Sequence, residues 1–181
     1  QMMEKVVLPR FKPRRTEEEI RKECPWATTG RFGGRKPNII TSLELRSEEM
    51  EIINLRIQEK YKKIEESEVR FEEYMLDDAE YAIVAFGSAA RIAKKSIEIA
   101  RSQGIKVGLL RPITLWPFPT KEVQKLGEKM KGILSLEINA GQMVEDIRLA
   151  VAGRVPVQHF GRLGGIIPDP DEVVDAIKRL F

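Results

Sequence analysis

Few side chains in this sequence have both the type and the placement to carry chemistry, and each such group has a plainer reading beside it. Glu137, Asn139 and Gln142 surround the end of an apolar run, Ile133 to Ile138. Polar side chains there orient a ligand, or they cap the next helix and pin a subunit contact; the second reading is carried forward. His159 is the only histidine. A metal site or a nucleophile–base pair needs partners that are not evident around it, so it is expected to be a hydrogen-bonded strand residue. Gly161-Arg162-Leu163-Gly164-Gly165 could bring backbone amides near an anion, with Arg162 adding charge. A flexible turn before Pro168 explains it equally well. Gly87-Ser88-Ala89 follows a strand as a phosphate-cradling turn would, yet it lacks the spaced glycines of a dinucleotide fingerprint and the Gly-Lys-Ser of a P-loop. It reads as a tight turn that seats an alanine-rich helix close to a sheet. No catalytic, cofactor-binding or metal-ligating residue is assigned.

The segment Arg111-Pro112-Ile113-Thr114-Leu115-Trp116-Pro117-Phe118-Pro119 holds three of the ten prolines. Each proline fixes its own φ and restricts the residue before it, so the chain is expected to leave the preceding strand through a stiff, extended stretch. That strand end is where α/β sheets bind ligands and partners. Trp116 and Phe118 are expected to lie at a subunit or domain interface rather than in a small-molecule pocket. With Arg111, Glu137, Asn139 and Gln142 they make up the candidate interface residues.

These residues need a scaffold, and 181 residues with 42% hydrophobic and 33% charged side chains are enough for one sizeable core. No apolar run approaches the ~20 residues that span a bilayer, and no signal-peptide pattern opens the chain, so a cytoplasmic protein without membrane contact is expected. Cys24 is the only cysteine, which excludes disulfide frameworks and multi-cysteine metal or cluster sites within one chain. Residues 1–36 carry a net charge of +5, leaving −2 for residues 37–181 of the total +3. No nucleic-acid motif accompanies this basic excess, so it reads as a solvated or subunit-covering arm.

Residues 1–46 are expected to be irregular, with Pro9, Pro13, Pro25 and Pro37, a Gly30-Arg31-Phe32-Gly33-Gly34 turn cluster and a short helix over 17–23 opened by a Thr16–Glu19 capping box. Gln1 to Leu8 reads like the tail of an earlier element, and the chain is expected to be a fragment whose arm wraps another domain or subunit. Ser47 opens a helix over about 48–66, with Met50, Ile53, Ile57, Tyr61 and Ile64 on one face, expected to pack on the domain that follows.

From residue 69 the pattern becomes that of a sheet protein. Val69 to Tyr74 is a short strand. Tyr81–Phe86, Ile105–Leu110, Ile133–Ile138 and Val155–Phe160 are strands separated by helices, the first capped by Ser88 and ended by Gly104, the second capped by Thr120, the third marked by Val144, Ile147 and Val151. Asp169-Pro170-Asp171-Glu172 combines an N-cap, a proline at the first helical position and a capping-box Glu, and opens a last helix. Helices between successive short apolar strands require parallel pairing, so residues 81–181 form a three-layer α/β/α sandwich, and the α/β domain as a whole is expected to cover residues 47–181.

Four of these stretches together resemble the alpha subunit of 2-oxoacid:ferredoxin oxidoreductases: Tyr81 to Ser88, Arg111 to Pro119, Glu137-Ile138-Asn139-Ala140-Gly141-Gln142, and Gly164-Gly165 followed by Pro168. The likeness covers most of the chain. Pro25-Trp26-Ala27 and the Gly33-Gly34 turn make it most similar to the branched-chain, 2-ketoisovalerate type. The resemblance implies a transketolase C-terminal-domain-like fold, with a mostly parallel five-stranded sheet and one antiparallel strand, for which Val69 to Tyr74 is the natural candidate. It also implies a complex that decarboxylates a 2-oxoacid on thiamine diphosphate with magnesium, passes electrons through iron–sulfur clusters to ferredoxin, and transfers the acyl group to coenzyme A. The implied partners are a thiamine-diphosphate-binding beta subunit, a gamma subunit and a ferredoxin-like delta subunit. This chain has no Gly-Asp-Gly diphosphate motif and no cluster cysteines, so none of those cofactors is expected in it, and alone it is expected to be inactive. Two other readings stand beside this one: the C-terminal domain of another thiamine enzyme, such as a transketolase or a dehydrogenase component, and a freestanding nucleotide-binding module.

Overall fold

The computed structural model describes residues 10, 15–27, 31–34, 36–39 and 41–180. The expected tail at Gln1 to Leu8, together with Pro9, Pro13 and Gly30, lies outside the described residues. Contacts divide the chain into two units that part after Arg56.

In the first unit, α1 (Glu17–Glu23) starts as its sequence requires. The Thr16 hydroxyl accepts from the Glu19 amide at 3.2 Å while the Glu19 carboxylate accepts from the Thr16 amide at 2.7 Å. A 3-10 turn covers Phe32–Gly34, with Gly33 and Gly34 at φ of 65° and 74°. α2 (Ser47–Ser67) begins in this unit and ends in the next. None of its residues is fully buried, although its last turns, which lie in the second unit, set Tyr61 edge-on to Trp116. The apolar stripe Met50, Ile53, Ile57 and Ile64 is only half-buried, and periodicity alone does not say what a stripe packs against.

The second unit is built on five strands: β1 (Phe71–Tyr74), β2 (Tyr81–Ala85), β3 (Val107–Pro112), β4 (Gly132–Glu137) and β5 (Val157–Gly161). They form one sheet in the order β1-β3-β2-β4-β5. β1 lies antiparallel on β3, and the other pairs are parallel. α3 (Gly87–Ser102) and α6 (Pro170–Lys178) cover one face; α4 (Thr120–Lys129) and α5 (Met143–Val151) cover the other. Strand alternation divides the core accordingly. Ile83, Leu109, Leu134 and Leu136 meet Ile92, Ile97, Val173 and Ile177, while Ala82, Val84, Leu110 and Ile133 meet Val123, Leu126, Ile147 and Val151. The expected three-layer sandwich and its one antiparallel strand are both present.

Several local expectations are corrected by tertiary pairing. β3 starts two residues late, because the Ile105 amide still bonds the Ala100 carbonyl of α3, and it runs on to Pro112 because Phe71 of β1 pairs there. β5 begins at Val157, since the Arg154 amide is held by the Val151 carbonyl at the end of α5. Ser88 lies inside α3, whose N-cap is Phe86, and Thr120 is the first residue of α4 rather than its cap; neither helix start has a side-chain cap bond. Asp169 and Glu172, in contrast, form the expected capping box of α6.

The proline segment is bent, not extended. Ile113 and Thr114 donate backbone bonds to the Arg70 carbonyl, the Arg70 amide donates to the Thr114 hydroxyl at 3.0 Å, and that hydroxyl donates to the Pro117 carbonyl at 2.9 Å. Thr114 thus ties the segment back on itself and to Arg70, the residue just before β1. The β1–β2 turn is held from a distance: the Arg101 guanidinium donates to the carbonyls of Val107 and Met75 and to both carboxylate oxygens of Asp78, and Lys129 donates to the carbonyls of Leu76 and Asp77. Gly108 makes this possible, because a Cβ there would overlap the Met75 carbonyl.

Candidate functional site

Parallel pairing brings the carboxyl ends of β2, β3, β4 and β5 to one edge of the sheet, where ligands and partners of such folds meet the loops. The six candidate residues divide there into two groups. Arg111 belongs to β3 and Glu137 to β4, with β2 between them, so the groups stand two strand spacings, roughly 10 Å, apart.

Glu137 closes β4 with its carboxylate buried. One oxygen accepts from the Ser135 hydroxyl at 2.9 Å and the Val144 amide at 3.0 Å; the other accepts from the amides of Gln142 at 3.1 Å and Met143 at 2.9 Å. Gln142, the N-cap of α5, makes no side-chain cap bond, so a strand carboxylate satisfies the first amides of that helix instead. Burial pushes the carboxyl up, but the three amides and the hydroxyl outweigh it and hold Glu137 below the usual carboxylate range. Asn139 serves the same turn, its side-chain oxygen accepting from the Gly141 amide at 2.7 Å. The Gln142 side chain is exposed. His159 lies beside this group on β5, but its Nε2 is buried without a hydrogen-bond partner, which corrects the hydrogen-bonded reading.

Arg111 faces the antiparallel strand. It donates to Glu72 of β1 at 2.9 Å, and Lys94 of α3 donates to the same carboxylate at 2.5 Å while lying over the Tyr74 ring. The Lys94 bond, with the Arg111 bond behind it, holds the Glu72 carboxyl below its usual range against a smaller effect of burial. Trp116 is 54% exposed and stands edge-on to Tyr61 of α2, centroids 5.3 Å apart. Phe118 is half-buried against the core beneath α4 and α5. Trp116, Pro117 and Phe118 floor a cleft of about 730 Å³ whose walls include Lys62, Glu65, Glu66, Lys121 and Glu122. In the loop after β5, Arg162 pairs with Glu172 at 3.2 Å, so its charge is already engaged.

Glu72 and Ser135 are the participants that the sequence reading missed. Ser135 had a signal: it lies two residues before Glu137 in an apolar strand, hence on the same face. Glu72 had none, because its partners come from residues 94 and 111. In every case the strand-end charges hold loops and helix starts. Ser135 is buried and bonded to Glu137, so it is no nucleophile. Among the described residues no three His, Cys, Asp or Glu side chains converge as a metal site requires.

Residues 79–173 match the family of pyruvate:ferredoxin oxidoreductase core domain II. The chain belongs to the 2-oxoacid:ferredoxin oxidoreductases. It is 43% identical over 162 residues to a ketoisovalerate oxidoreductase subunit, VorB, of Methanothermobacter thermautotrophicus, covering 90% of this chain and 46% of that protein. It is 31% identical over 104 residues to a 2-oxoglutarate synthase subunit, KorA, of Methanothermobacter marburgensis, covering 58% of this chain and 28% of that one. Relative to the first of these, the chain spans about half the length. Among solved structures, 2-oxoglutarate:ferredoxin oxidoreductase from Magnetococcus marinus matches with a TM-score of 0.69 at 21% identity, over 85% of this chain and 28% of that one. A split-gene transketolase matches with a TM-score of 0.53 at 14% identity, over 61% and 41%. Both show the fold.

An iron–sulfur cluster takes four thiolates and the sequence holds one cysteine. A magnesium-held diphosphate needs carboxylate and carbonyl oxygens turned to a common point, and the carboxylates at the strand ends, Glu137 and Glu72, are taken up by internal donors.

Proposed function

We propose that this chain is the C-terminal assembly domain of the alpha subunit of a thiamine-diphosphate-dependent 2-oxoacid:ferredoxin oxidoreductase, one that acts on a branched-chain 2-oxoacid, 2-ketoisovalerate. The complete complex decarboxylates the 2-oxoacid, passes the electrons to ferredoxin and leaves the acyl group on coenzyme A. The observation that carries the assembly role is that the strand-end charges are consumed internally while Trp116 stays exposed beside a bent, tightly bonded segment. A surface of fixed shape bearing an aromatic is what a subunit contact uses. The longer and higher-identity match to the ketoisovalerate VorB subunits than to the 2-oxoglutarate KorA subunits supports the branched-chain substrate. The remaining parts of the reading are a cytoplasmic location and partner subunits that hold the thiamine diphosphate, magnesium and clusters.

The test is reduction of a viologen or ferredoxin by the complex assembled around this chain, with coenzyme A and each 2-oxoacid in turn. A kcat/KM for 2-ketoisovalerate at least tenfold above that for 2-oxoglutarate is expected, and the reverse order would overturn the substrate assignment. Calorimetry of the chain alone with thiamine diphosphate and magnesium is expected to show no binding. Micromolar affinity there would mean that it carries a cofactor site of its own.

A further inference from the structure

A parallel strand turns the backbone groups of alternate residues to opposite sides. The Ile133 amide donates to the Pro156 carbonyl at 3.0 Å and Ile133 is level with Val157, so Pro156, Gln158 and Phe160 face β4. Val157, His159 and Gly161 therefore turn their backbone amides and carbonyls outward along the open edge of the sheet, where they meet no partner among the described residues. Sheet edges are usually guarded against further pairing by shortness, charge or proline. The opposite edge is guarded in this way: β1 has four residues, and two of them are Glu72 and Glu73. β5 holds no Asp, Glu, Lys or Arg, and Pro156 leaves its open edge unguarded because the backbone of that residue faces β4. The chain leaving β5 adds exposed apolar side chains, Leu163, Ile166 and Ile167, each more than half exposed.

We propose that β5 is the docking edge for a second copy of this chain, the two β5 strands pairing antiparallel about a twofold axis at His159 so that the two five-stranded sheets continue as one. A second copy fits because the strand is complementary to itself in this register. His159 lies opposite its counterpart, Val157 opposite Gly161 and Phe160 opposite Gln158, so the branched and aromatic side chains meet small or polar ones. The outward-turned residues fall into the closely bonded pairs of an antiparallel ladder, which gives about six backbone hydrogen bonds across the axis. No like charges oppose each other: Arg154 falls level with Gly164 of the other copy and Arg162 with Pro156. Leu163 comes level with Val155 of the other copy, next to Arg154, so the exposed apolar loop of each chain lies at the rim of the same contact and loses water there.

The experiment measures the mass of the chain by sedimentation and light scattering from about 5 to 500 μM, with hydrogen exchange of the β5 amides followed by NMR at both ends of the series. A rise from the mass of one chain to that of two is expected. Over the same range the amides of Val157, His159 and Gly161 should slow at least tenfold, while those of Gln158 and Phe160 stay protected throughout. Leu163→Lys, at an exposed position, should melt as the wild type does and dimerise at least tenfold more weakly, because it sets a cation beside Arg154 of the other copy. His159→Pro removes the central outward amide and should keep the mass of one chain; if it does not fold, the wild-type exchange pattern and Leu163→Lys decide. The mass of one chain at every concentration, a dimer whose three outward amides exchange freely, or a Leu163→Lys dimer as tight as the wild type's would overturn the proposal.

Discussion

Glu137 is the residue on which most of the strand-end structure depends. Glu137→Ala would leave three amides and a hydroxyl buried without an acceptor, a loss of about 3–5 kcal/mol. Urea unfolding at pH 7 measures it, and a loss below ~1 kcal/mol would show that water replaces the carboxylate. Because its folded-state pKa lies below the unfolded one, its stabilisation is present above the unfolded carboxylate range and fades as pH falls through the folded value. Glu137→Gln should therefore flatten the loss of stability below about pH 5, seen as a smaller shift of the urea midpoint between pH 6 and pH 3.5. Gly108→Ala should cost about 1–3 kcal/mol, since the new methyl group meets a carbonyl that Arg101 holds in place. Glu137 was legible as a cap from its place at the end of an apolar run. The empty neighbourhood of His159 Nε2 was not, because it depends on the register of β5 against β4 and on two glycines that leave room.

At the scale of elements, type was legible and boundaries were not. The apolar run Tyr81 to Ala85, the helix period of Ile92, Ala93, Ile97 and Ala100 and the Asp169-Pro170 start are local patterns, and each formed the element it specifies. The ends of β3 and β5 are set by which strand lies alongside and which helix retains an amide, information that no window of sequence contains. α2 shows the same gap: its stripe marks a helix without naming its cover. Leu55→Ala is expected to change the stability of the chain by less than about 0.5 kcal/mol, whereas Ile97→Ala, in the centre of the core, should cost about 2–5 kcal/mol. Thermal melts of the two variants compare them directly, and equal losses would mean that Leu55 is covered in solution.

For the whole molecule, the three-layer sandwich followed from strand and helix alternation, while membership of the oxidoreductase family rested on particular wording at the strand ends. The proposed role of this domain is to hold a complex together through the segment after β3. It is tested by light-scattering mass and turnover of the assembled complex carrying Trp116→Ala and Phe118→Ala, with the Tm of the double-variant chain as control. Loss of the assembled mass together with activity is expected, while the isolated variant still melts cooperatively. A complex of full mass whose KM for the 2-oxoacid has risen would contradict it and would place the two aromatics in a substrate site.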